Sequence, residues 1–237
     1  MLAGVVAIAT TRFRADQMVT GLAVNILALG LTSFLLRGFG AASRAPIIRV
    51  ATLPPLPVPW LADLPLVGPV LFRQPALTYL AVVMTAVVFV FLVRTRPGLI
   101  LRAVGENPAA VFAVGGDPSR VRVIAVIVCG AMAGLAGAVL SLQQVGTFTD
   151  GMTHGRGYLA LAAIIVGRWM PAGALVGCLV FGAADALQLR VQTIRLPVSS
   201  YVIQMLPYVV SLAVLAGLGR TARMPAAIGL PFVRDPR

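Results

Sequence analysis

The chain has 237 residues, of which 59% are hydrophobic and 11% are charged, and its mean hydropathy is +0.96. Soluble domains average about 45–50% apolar and about 25% charged residues, so this composition excludes an ordinary globular domain and predicts a membrane protein. The formal net charge is +12 and all 19 basic residues are arginines. Because they flank apolar runs and do not cluster on one polar face, they do not predict a nucleic-acid-binding surface.

The first long apolar run is Gln17–Leu36, whose roughly 20 uncharged residues suffice to cross about 30 Å of hydrocarbon. The preceding sequence, "MLAGVVAIATTRFR", is too short to span and lacks the basic region of a signal peptide. It is interpreted as the end of a helix whose beginning is missing. The stretch Arg37–Gln74 holds seven of the 17 prolines and is followed by Pro75. It therefore predicts an extended extracytoplasmic loop at 37–75.

Further apolar runs predict additional spans, with a polar loop at 94–120 among them. These spans are 76–93, 121–144, 171–189 and 199–218, the last kinked at Pro207. The apolar segment 157–169 is short, which predicts a half-helix or a broken span shielded by neighbouring helices. The basic tail 219–237 is expected to be loosely ordered. The predicted fold class is all-α: a single polytopic domain over 1–237, with about five to six spans, a short broken helix and a cytoplasmic helix.

Glycines recur inside the predicted spans at spacings that favour close helix packing. Small residues let helix backbones approach where lipid surrounds them and no hydrophobic effect drives their association. The candidate packing positions are Gly130, Gly134, Gly137, Gly173 and Gly177. Two cysteines, Cys129 and Cys178, lie in the same runs and are predicted to be buried, unpaired thiols.

The distribution of arginines predicts the orientation of the chain. If the loop 94–120 is cytoplasmic and the spans alternate, 12 of the 19 arginines lie inside and seven lie outside. Because cytoplasmic loops carry an excess of basic residues, this bias favours a cytoplasmic position for the loop. The count treats 157–169 as a crossing; if that segment is re-entrant, the last two helices are inverted.

Ionisable groups within the spans are scarce, which restricts the chemistry. Asp185 is the only acid inside a span and lies near its end, where a hydrogen bond to a neighbouring helix is the favoured role. Proton-coupled carriers depend on carboxylates near the midplane, so that class is disfavoured. His154 has no evident catalytic partner in "GMTHGRG", which argues against an enzyme. The sequence contains no GxxxxGK[ST] phosphate-binding loop, so no ATP site or other cofactor is predicted in this chain.

Neutral polar side chains inside the spans are the candidate lining of a solute pathway. These residues are Asn25, Thr32, Gln143 and Gln144. An amide can hydrogen-bond a hydroxylated solute without the cost of burying a charge. The alternative interpretation is that each one bonds a neighbouring helix.

The polar loop itself encodes a short, separately capped helix. Asn107 is a good N-cap and Pro108 suits the first helical position, while Gly115 tolerates the left-handed conformation that ends a helix. Asp117 and Pro118 repeat the cap-plus-proline signal and start the next span. The helix would present Val111 and Phe112, either to a groove on another protein or, as an interfacial helix, to lipid.

The loop "RAVGENPAAVFAVGGDPSRVRV" resembles the cytoplasmic loop of ABC-transporter permeases in the branched-chain amino acid, ribose and simple-sugar group. The resemblance extends in order through "QMVTGLAVNILALGLTSFLLR", "LADLPLVGPVLFRQ", "GRGYLALAAIIVGRWMPAGALVGCLVFGAADALQ" and "QMLPYVVSLAVLA". It is closest to permeases for simple sugars and nucleosides, and it covers nearly the whole chain.

This resemblance implies that the short helix is a coupling helix, which docks into a cleft of a cytoplasmic ATPase. The positions matching the coupling motif are Glu106, Asn107, Pro108, Ala109, Ala110 and Gly115, and Val111 and Phe112 lie between them. The resemblance also implies an importer of a sugar or nucleoside in the bacterial cytoplasmic membrane. Its implied partners are the ATPase, which binds ATP, a second permease subunit, identical or related, and an extracytoplasmic substrate-binding protein.

The N-terminus departs from the family, because related permeases carry further spans before the "GLAVN" helix. This departure leaves open an inactive truncated permease or a membrane scaffold. An ion-coupled carrier or channel is the alternative from a different functional class.

Overall fold

The computed structural model describes residues 1–43, 53–57, 72–193, 200–218, 224–230 and 232. Within these ranges the chain is mostly helical, which confirms the predicted all-α class. The helices are α1 (Leu2–Thr11), α2 (Gln17–Ser43), α3 (Ala76–Arg94), α4 (Arg96–Glu106), α5 (Pro108–Ala113), α6 (Pro118–Val139), α7 (Arg156–Val166), α8 (Pro171–Thr193), α9 (Ser200–Gln204) and α10 (Leu206–Leu218). A π-helix, Leu140–Val145, continues α6.

Two short strands lie within the predicted proline-rich loop. Strand β1 (Pro55–Pro57) pairs antiparallel with β2 (Arg73–Pro75), so that Leu56 lies opposite Gln74. The strands do not alter the fold class, and residues 44–52 and 58–71 of the predicted loop lie outside the described residues.

Four of the described helices are long and apolar enough to cross a membrane. They lie at Gln17–Gly38, Ala76–Arg94, Pro118–Gln144 and Pro171–Thr193. Few of their residues are buried within the chain, so their apolar sides are open to lipid or to other subunits. This exposure, which would be unfavourable in water, is expected for a polytopic membrane protein.

The described chain divides into two compact units: Met1–Thr153 with Ala227–Arg237, and His154–Ala226. In the first unit, α1 packs against α2 and α6, and Gly130 of α6 lies directly against Ala3. Helix α2 continues past the predicted end at Leu36 to Ser43, because the intervening sequence contains no proline to stop it.

The second unit is built on a hairpin of α7 and α8. Arg168 and Trp169 both have positive φ values, 57° and 59°, and this turn reverses the chain before Pro171. Beside the turn, a Cβ at Gly173 would collide with the backbone of Gly167. Farther along the hairpin, a Cβ at Gly177 would lie 3.0 Å from the Cα of Ala163. The two helices therefore pack in antiparallel register with their backbones close together.

The last predicted span, 199–218, is interrupted for one residue beside the kink predicted at Pro207. Helix α9 ends at Gln204 and α10 begins at Leu206, with Pro207 in the first turn of α10. Proline lacks the N–H that a continuing helix needs and disfavours the helical conformation in the residue before it. Pro207 is fully buried, so the ring that breaks the helix also packs in this unit.

The cysteine prediction was wrong in one respect. Cys129 on α6 and Cys178 on α8 are free thiols, but both are exposed within this chain. An apolar run does not distinguish a helix face that meets another helix from one that meets lipid, since both favour small apolar residues.

Candidate coupling segment and solute pathway

Three successive helices in the segment 95–122 each begin with a side-chain cap. The Gly98 N–H donates to Thr95 Oγ1 at 3.2 Å at the start of α4, and the Ala110 N–H donates to Asn107 Oδ1 at 3.0 Å at the start of α5. At the start of α6, Asp117 Oδ1 accepts from the amides of Ser119 and Arg120. The predicted caps at Asn107 and Asp117 are confirmed.

Helix α5 has one buried side and one exposed side. Val111 is buried, whereas Phe112 is 40% exposed and Val114 is 85% exposed. Beyond the helix, Gly115 has a φ of +87°, so the predicted left-handed ending is confirmed. A Cβ at Gly116 would lie 2.6 Å from Val111 Cγ1. The loop therefore folds back tightly over the inward face of α5, and Phe112 on the other side remains partly exposed.

The other positions matched to the coupling motif lie around the same short helix. Asn107, Ala109 and Ala110 are exposed, and Glu106 is an exposed residue at the end of α4. Arginines precede and follow the helix along the chain, and four of them are exposed: Arg94, Arg96, Arg102 and Arg120. Arg120 forms an ion pair with Asp117 at 3.0 Å, and both side chains remain largely open to solvent. The exposed surface of this segment thus includes the Phe112 ring on α5 and arginine side chains on the flanking helices.

Within the tail 219–237, which is predicted to be loosely ordered, Ala227–Leu230 and Phe232 pack against this region, whereas 219–223, 231 and 233–237 lie outside the described residues. The Ala227 N–H donates to the Gly105 carbonyl of α4 at 2.9 Å. Arg122 of α6 donates to the Leu230 carbonyl at 2.6 Å and to the Ala227 carbonyl at 3.4 Å. The prediction missed this contact because Arg122 reaches a segment more than 100 residues away, with no local sequence pattern to indicate it.

Among the candidate pathway residues, Gln143 has the most distinctive position. It lies in the π-helix, and its Nε2 donates to Thr78 Oγ1 of α3 at 2.6 Å. Its Oε1 is buried and accepts no hydrogen bond from the residues the structure describes. A buried acceptor without a donor is costly, and π-helical turns occur frequently at functional sites. Gln143 therefore forms the interhelical bond that was predicted as its alternative role. The same side chain also keeps one acceptor, Oε1, for a further donor.

The remaining candidate pathway residues have different surroundings. Thr32 donates to the carbonyls of Ala28 and Leu29 in its own helix, which satisfies its hydroxyl. Asn25 is exposed on α2, and Gln144 is exposed next to Gln143. The structure thus distinguishes Gln143 from the other three.

Ser33, the residue after Thr32 on α2, donates to Asp150 Oδ1 at 2.8 Å. This bond ties the loop after the π-helix to α2, as the Gln143–Thr78 bond ties the π-helix to α3. The segment 140–150 is therefore held by side chains of two different helices.

The candidate packing glycines divide into two groups. Gly130, Gly173 and Gly177 lie against Ala3, Gly167 and Ala163, respectively. At Gly134 and Gly137, a Cβ would meet no atom of the described chain within 4 Å.

In the second unit, Asp185 forms an ion pair with Arg156. Arg156 Nη2 lies 3.1 Å from Asp185 Oδ2, and the pair joins the start of α7 to α8. His154 holds the preceding turn through its backbone, because the Tyr208 hydroxyl donates to its carbonyl at 2.7 Å. The bond predicted from Asp185 to a neighbouring helix is confirmed, with an arginine as its partner.

Comparison with known proteins identifies the family. Residues 1–218 match the family described as "Branched-chain amino acid transport system / permease component". The chain is 33% identical over 237 residues to the guanosine ABC transporter permease of Bacillus subtilis strain 168, covering 98% of this chain and 73% of that protein. It is 34% identical over 233 residues to a nucleoside ABC transporter permease of Lactococcus lactis subsp. cremoris, covering 97% and 73%.

A third relative is an archaeal sugar permease. The chain is 38% identical over 195 residues to a putative glucose ABC transporter permease of Haloferax volcanii, covering 82% of this chain and 59% of that protein. No solved structure matches. The chain belongs to the family of permease components of branched-chain amino acid transport systems, and it is a multi-pass protein of the cell membrane.

Proposed function

We propose that the chain is a membrane-spanning subunit of an ABC importer for a nucleoside or a sugar. The three relatives described above carry guanosine, nucleosides or glucose in their names, and all three solute types are rich in hydroxyl groups. The partner ATPase hydrolyses ATP, a second permease subunit completes the pathway, and a substrate-binding protein delivers the solute from outside.

The observation that carries the proposal is the exposed aromatic face of α5. A six-residue helix is too short to be stable alone, yet this one is capped at Asn107 and anchored by buried Val111. Phe112 points away from that anchor and is 40% exposed. A rigid helix presenting one aromatic ring resembles the anchors that dominate protein–protein interfaces. This favours α5 as the site where the ATPase docks.

The proposal is tested with the complex from its own membrane. The tagged chain is purified and its partners are identified by mass spectrometry, with and without Phe112→Asp; Phe13→Asp, at a more exposed ring outside the segment, is the control. We expect an ABC ATPase to co-purify with the wild-type and Phe13→Asp chains and to be lost with Phe112→Asp. Retention of the ATPase by Phe112→Asp would contradict the docking assignment.

Transport is measured after reconstitution of the purified complex into proteoliposomes. Uptake of labelled guanosine and glucose is compared with ATP and with a non-hydrolysable analogue. We expect uptake of either guanosine or glucose with ATP, and no uptake with the non-hydrolysable analogue. Nucleotide-independent flux would instead indicate a carrier or channel, and a complex that binds the ATPase without transporting would indicate an inactive permease.

Within this function, the Oε1 of Gln143 accepts a hydrogen bond from a solute hydroxyl. Its position supports this role, because Thr78 fixes the amide through Nε2 and leaves the buried oxygen free for a donor. One hydrogen bond contributes about 0.5–1.5 kcal/mol, so Gln143→Leu should raise KM roughly 2–10-fold.

A matched pair of threonines on α3 tests whether the orientation of the amide matters. Thr78→Val removes the partner of Gln143, whereas Thr85→Val removes a hydroxyl that bonds the Ala81 carbonyl of its own helix. We expect KM to rise in Thr78→Val and to stay unchanged in Thr85→Val. Equal KM values in the two variants would contradict a role for the Gln143 amide in the solute pathway.

A further inference from the structure

The C-terminal residues Ala227–Leu230 and Phe232, here termed the strap, contact the coupling segment at three points. The Ala227 N–H bonds the Gly105 carbonyl on α4, and the Phe232 ring centroid lies 5.7 Å from that of Phe112 on α5. The third point is Arg122 on α6, which bonds two strap carbonyls. One segment therefore contacts three consecutive helices, α4, α5 and α6.

We infer that the strap, held by Arg122, positions α5 for its partner; this inference rests on the proposed function. Helix α5 has a single cap and a single buried aliphatic side chain, and those fix its start and its inward face. They do not fix its direction relative to the neighbouring helices. The strap supplies that restraint by bridging both flanking helices and by contacting the ring on the exposed side of α5.

Arginine is suited to this role for a geometric reason. Its guanidinium is planar and presents several N–H donors in a fixed fork, so it can hold two carbonyls in one arrangement. Arg122 does this through Nη1 to Leu230 and Nη2 to Ala227. A lysine would offer a single point charge on a flexible stem and would not fix the same geometry. Arg122 is thus a positioning residue that acts on α5 through the strap.

A neighbouring arginine on the same helix provides a comparison. Arg120 is 85% exposed and pairs with Asp117 one turn earlier. Two residues later, Arg122 is half-buried and bonds to the strap. Replacing either one removes the same charge from the start of α6, but only Arg122 holds the strap.

The strap supports Phe112 without covering it. The ring remains 40% exposed despite its contact with Phe232, so its open face is still available to a partner. This geometry distinguishes a brace from an autoinhibitory lid. A brace keeps α5 aligned, so that displacement of α5 by the ATPase is transmitted to α4 and α6 rather than lost in reorientation of a short helix.

The experiment compares Arg122→Ala with Arg120→Ala in the full complex. Hydrogen exchange of the α5 amides reports its restraint, and solute uptake per ATP hydrolysed reports transmission. In Arg122→Ala we expect exchange about tenfold faster and a clear fall in uptake per ATP, because bonds to a charged donor are lost. Arg120→Ala should differ from wild type by less than about twofold, as exposed ion pairs contribute little. Arg122→Lys should resemble Arg122→Ala.

If Arg122→Ala does not accumulate as a folded protein, Phe232→Ala provides the same comparison without altering a charge. If hydrogen exchange of α5 and uptake per ATP equal those of Arg120→Ala, the proposed restraint of α5 by the strap is wrong. Increased uptake per ATP would also contradict it and would identify the strap as an inhibitory lid. The proposed function fails separately. A wild-type complex without ATP-driven uptake would refute the importer, whereas the exchange of α5 would still report whether the strap restrains it.

Discussion

The coupling segment 95–122 and the α7–α8 hairpin are held together by different interactions. The coupling segment relies on directional hydrogen bonds, from the caps at Thr95, Asn107 and Asp117 to the Arg122 contacts with the strap. The hairpin relies on close backbone approach at glycines. In water an apolar face can drive packing, whereas in lipid it cannot, so shape and small residues take over. Each region is therefore held together by the interactions that remain effective in its surroundings.

The largest effect is expected from filling the hairpin contact. Gly173→Val places a branched side chain against the Gly167 backbone, which cannot move aside as a flexible side chain would. Overpacking of this kind costs about 1–3 kcal/mol. Gly182→Val on the same helix is the control, because a Cβ there meets no described atom within 4 Å. Thermal unfolding in detergent should separate the two variants, and equal midpoints would show that the hairpin does not depend on close approach.

The ion pair of Arg156 and Asp185 is the polar exception within the hairpin. Arg156→Ala leaves a partly buried carboxylate without this partner, which should cost about 1–3 kcal/mol. The Arg156→Ala, Asp185→Ala double variant should recover part of that loss. A double-mutant cycle with no coupling would show that glycine contacts alone hold α7 and α8.

The caps of the coupling segment should show an intermediate and local effect. Asn107→Ala removes the acceptor for the Ala110 amide and should destabilise α5 by about 1 kcal/mol. Asn107→Ser keeps an acceptor and serves as the control. Hydrogen exchange of α5 should rise in the first variant and stay near wild type in the second. Unchanged exchange in both would mean that Val111 alone fixes the helix.

The smallest effect should come from the exposed pair of Asp117 and Arg120. Arg120→Ala leaves the backbone bonds of Asp117 in place and removes an interaction that solvent screens. The unfolding midpoint should therefore stay within measurement error of wild type. A shift as large as that of Asn107→Ala would show that charge pairing, and not capping, stabilises this segment.

Local sequence signals predicted the parts of this fold that depend on local chemistry. An N-cap residue followed by proline marked α5 at Asn107 and α6 at Asp117. At α4 the signal is less direct, because Arg96 separates the cap residue Thr95 from Pro97. Helix α4 was therefore not predicted within the polar loop 94–120.

Features that depend on which faces meet could not be predicted in the same way. Gly130 and Gly134 share one spacing motif, yet only Gly130 lies against another helix in the described chain. The π-helix at Leu140–Val145 contains no proline or glycine that would indicate a change in helix geometry. From its place beside an apolar run, Arg122 is expected to lie at the membrane surface. Its contacts with the strap could not be predicted, because the strap lies more than 100 residues further along the chain. Such pairings are set by tertiary packing rather than by any local pattern.

The single non-helical residue between α3 and α4 has a mechanical consequence. With 11 residues, α4 is a rod of about 16 Å whose near end adjoins Thr95. Rotating α4 by about 10° around Thr95 would displace Glu106 by about 3 Å. A small rotation near the membrane would therefore displace the far end of α4 much more than its start. Gly98 lies so close to Phe91 that no Cβ fits between α4 and the end of α3. The junction between α3 and α4 is therefore tightly packed. The displacement of Glu106 for a given rotation is set by the length of α4.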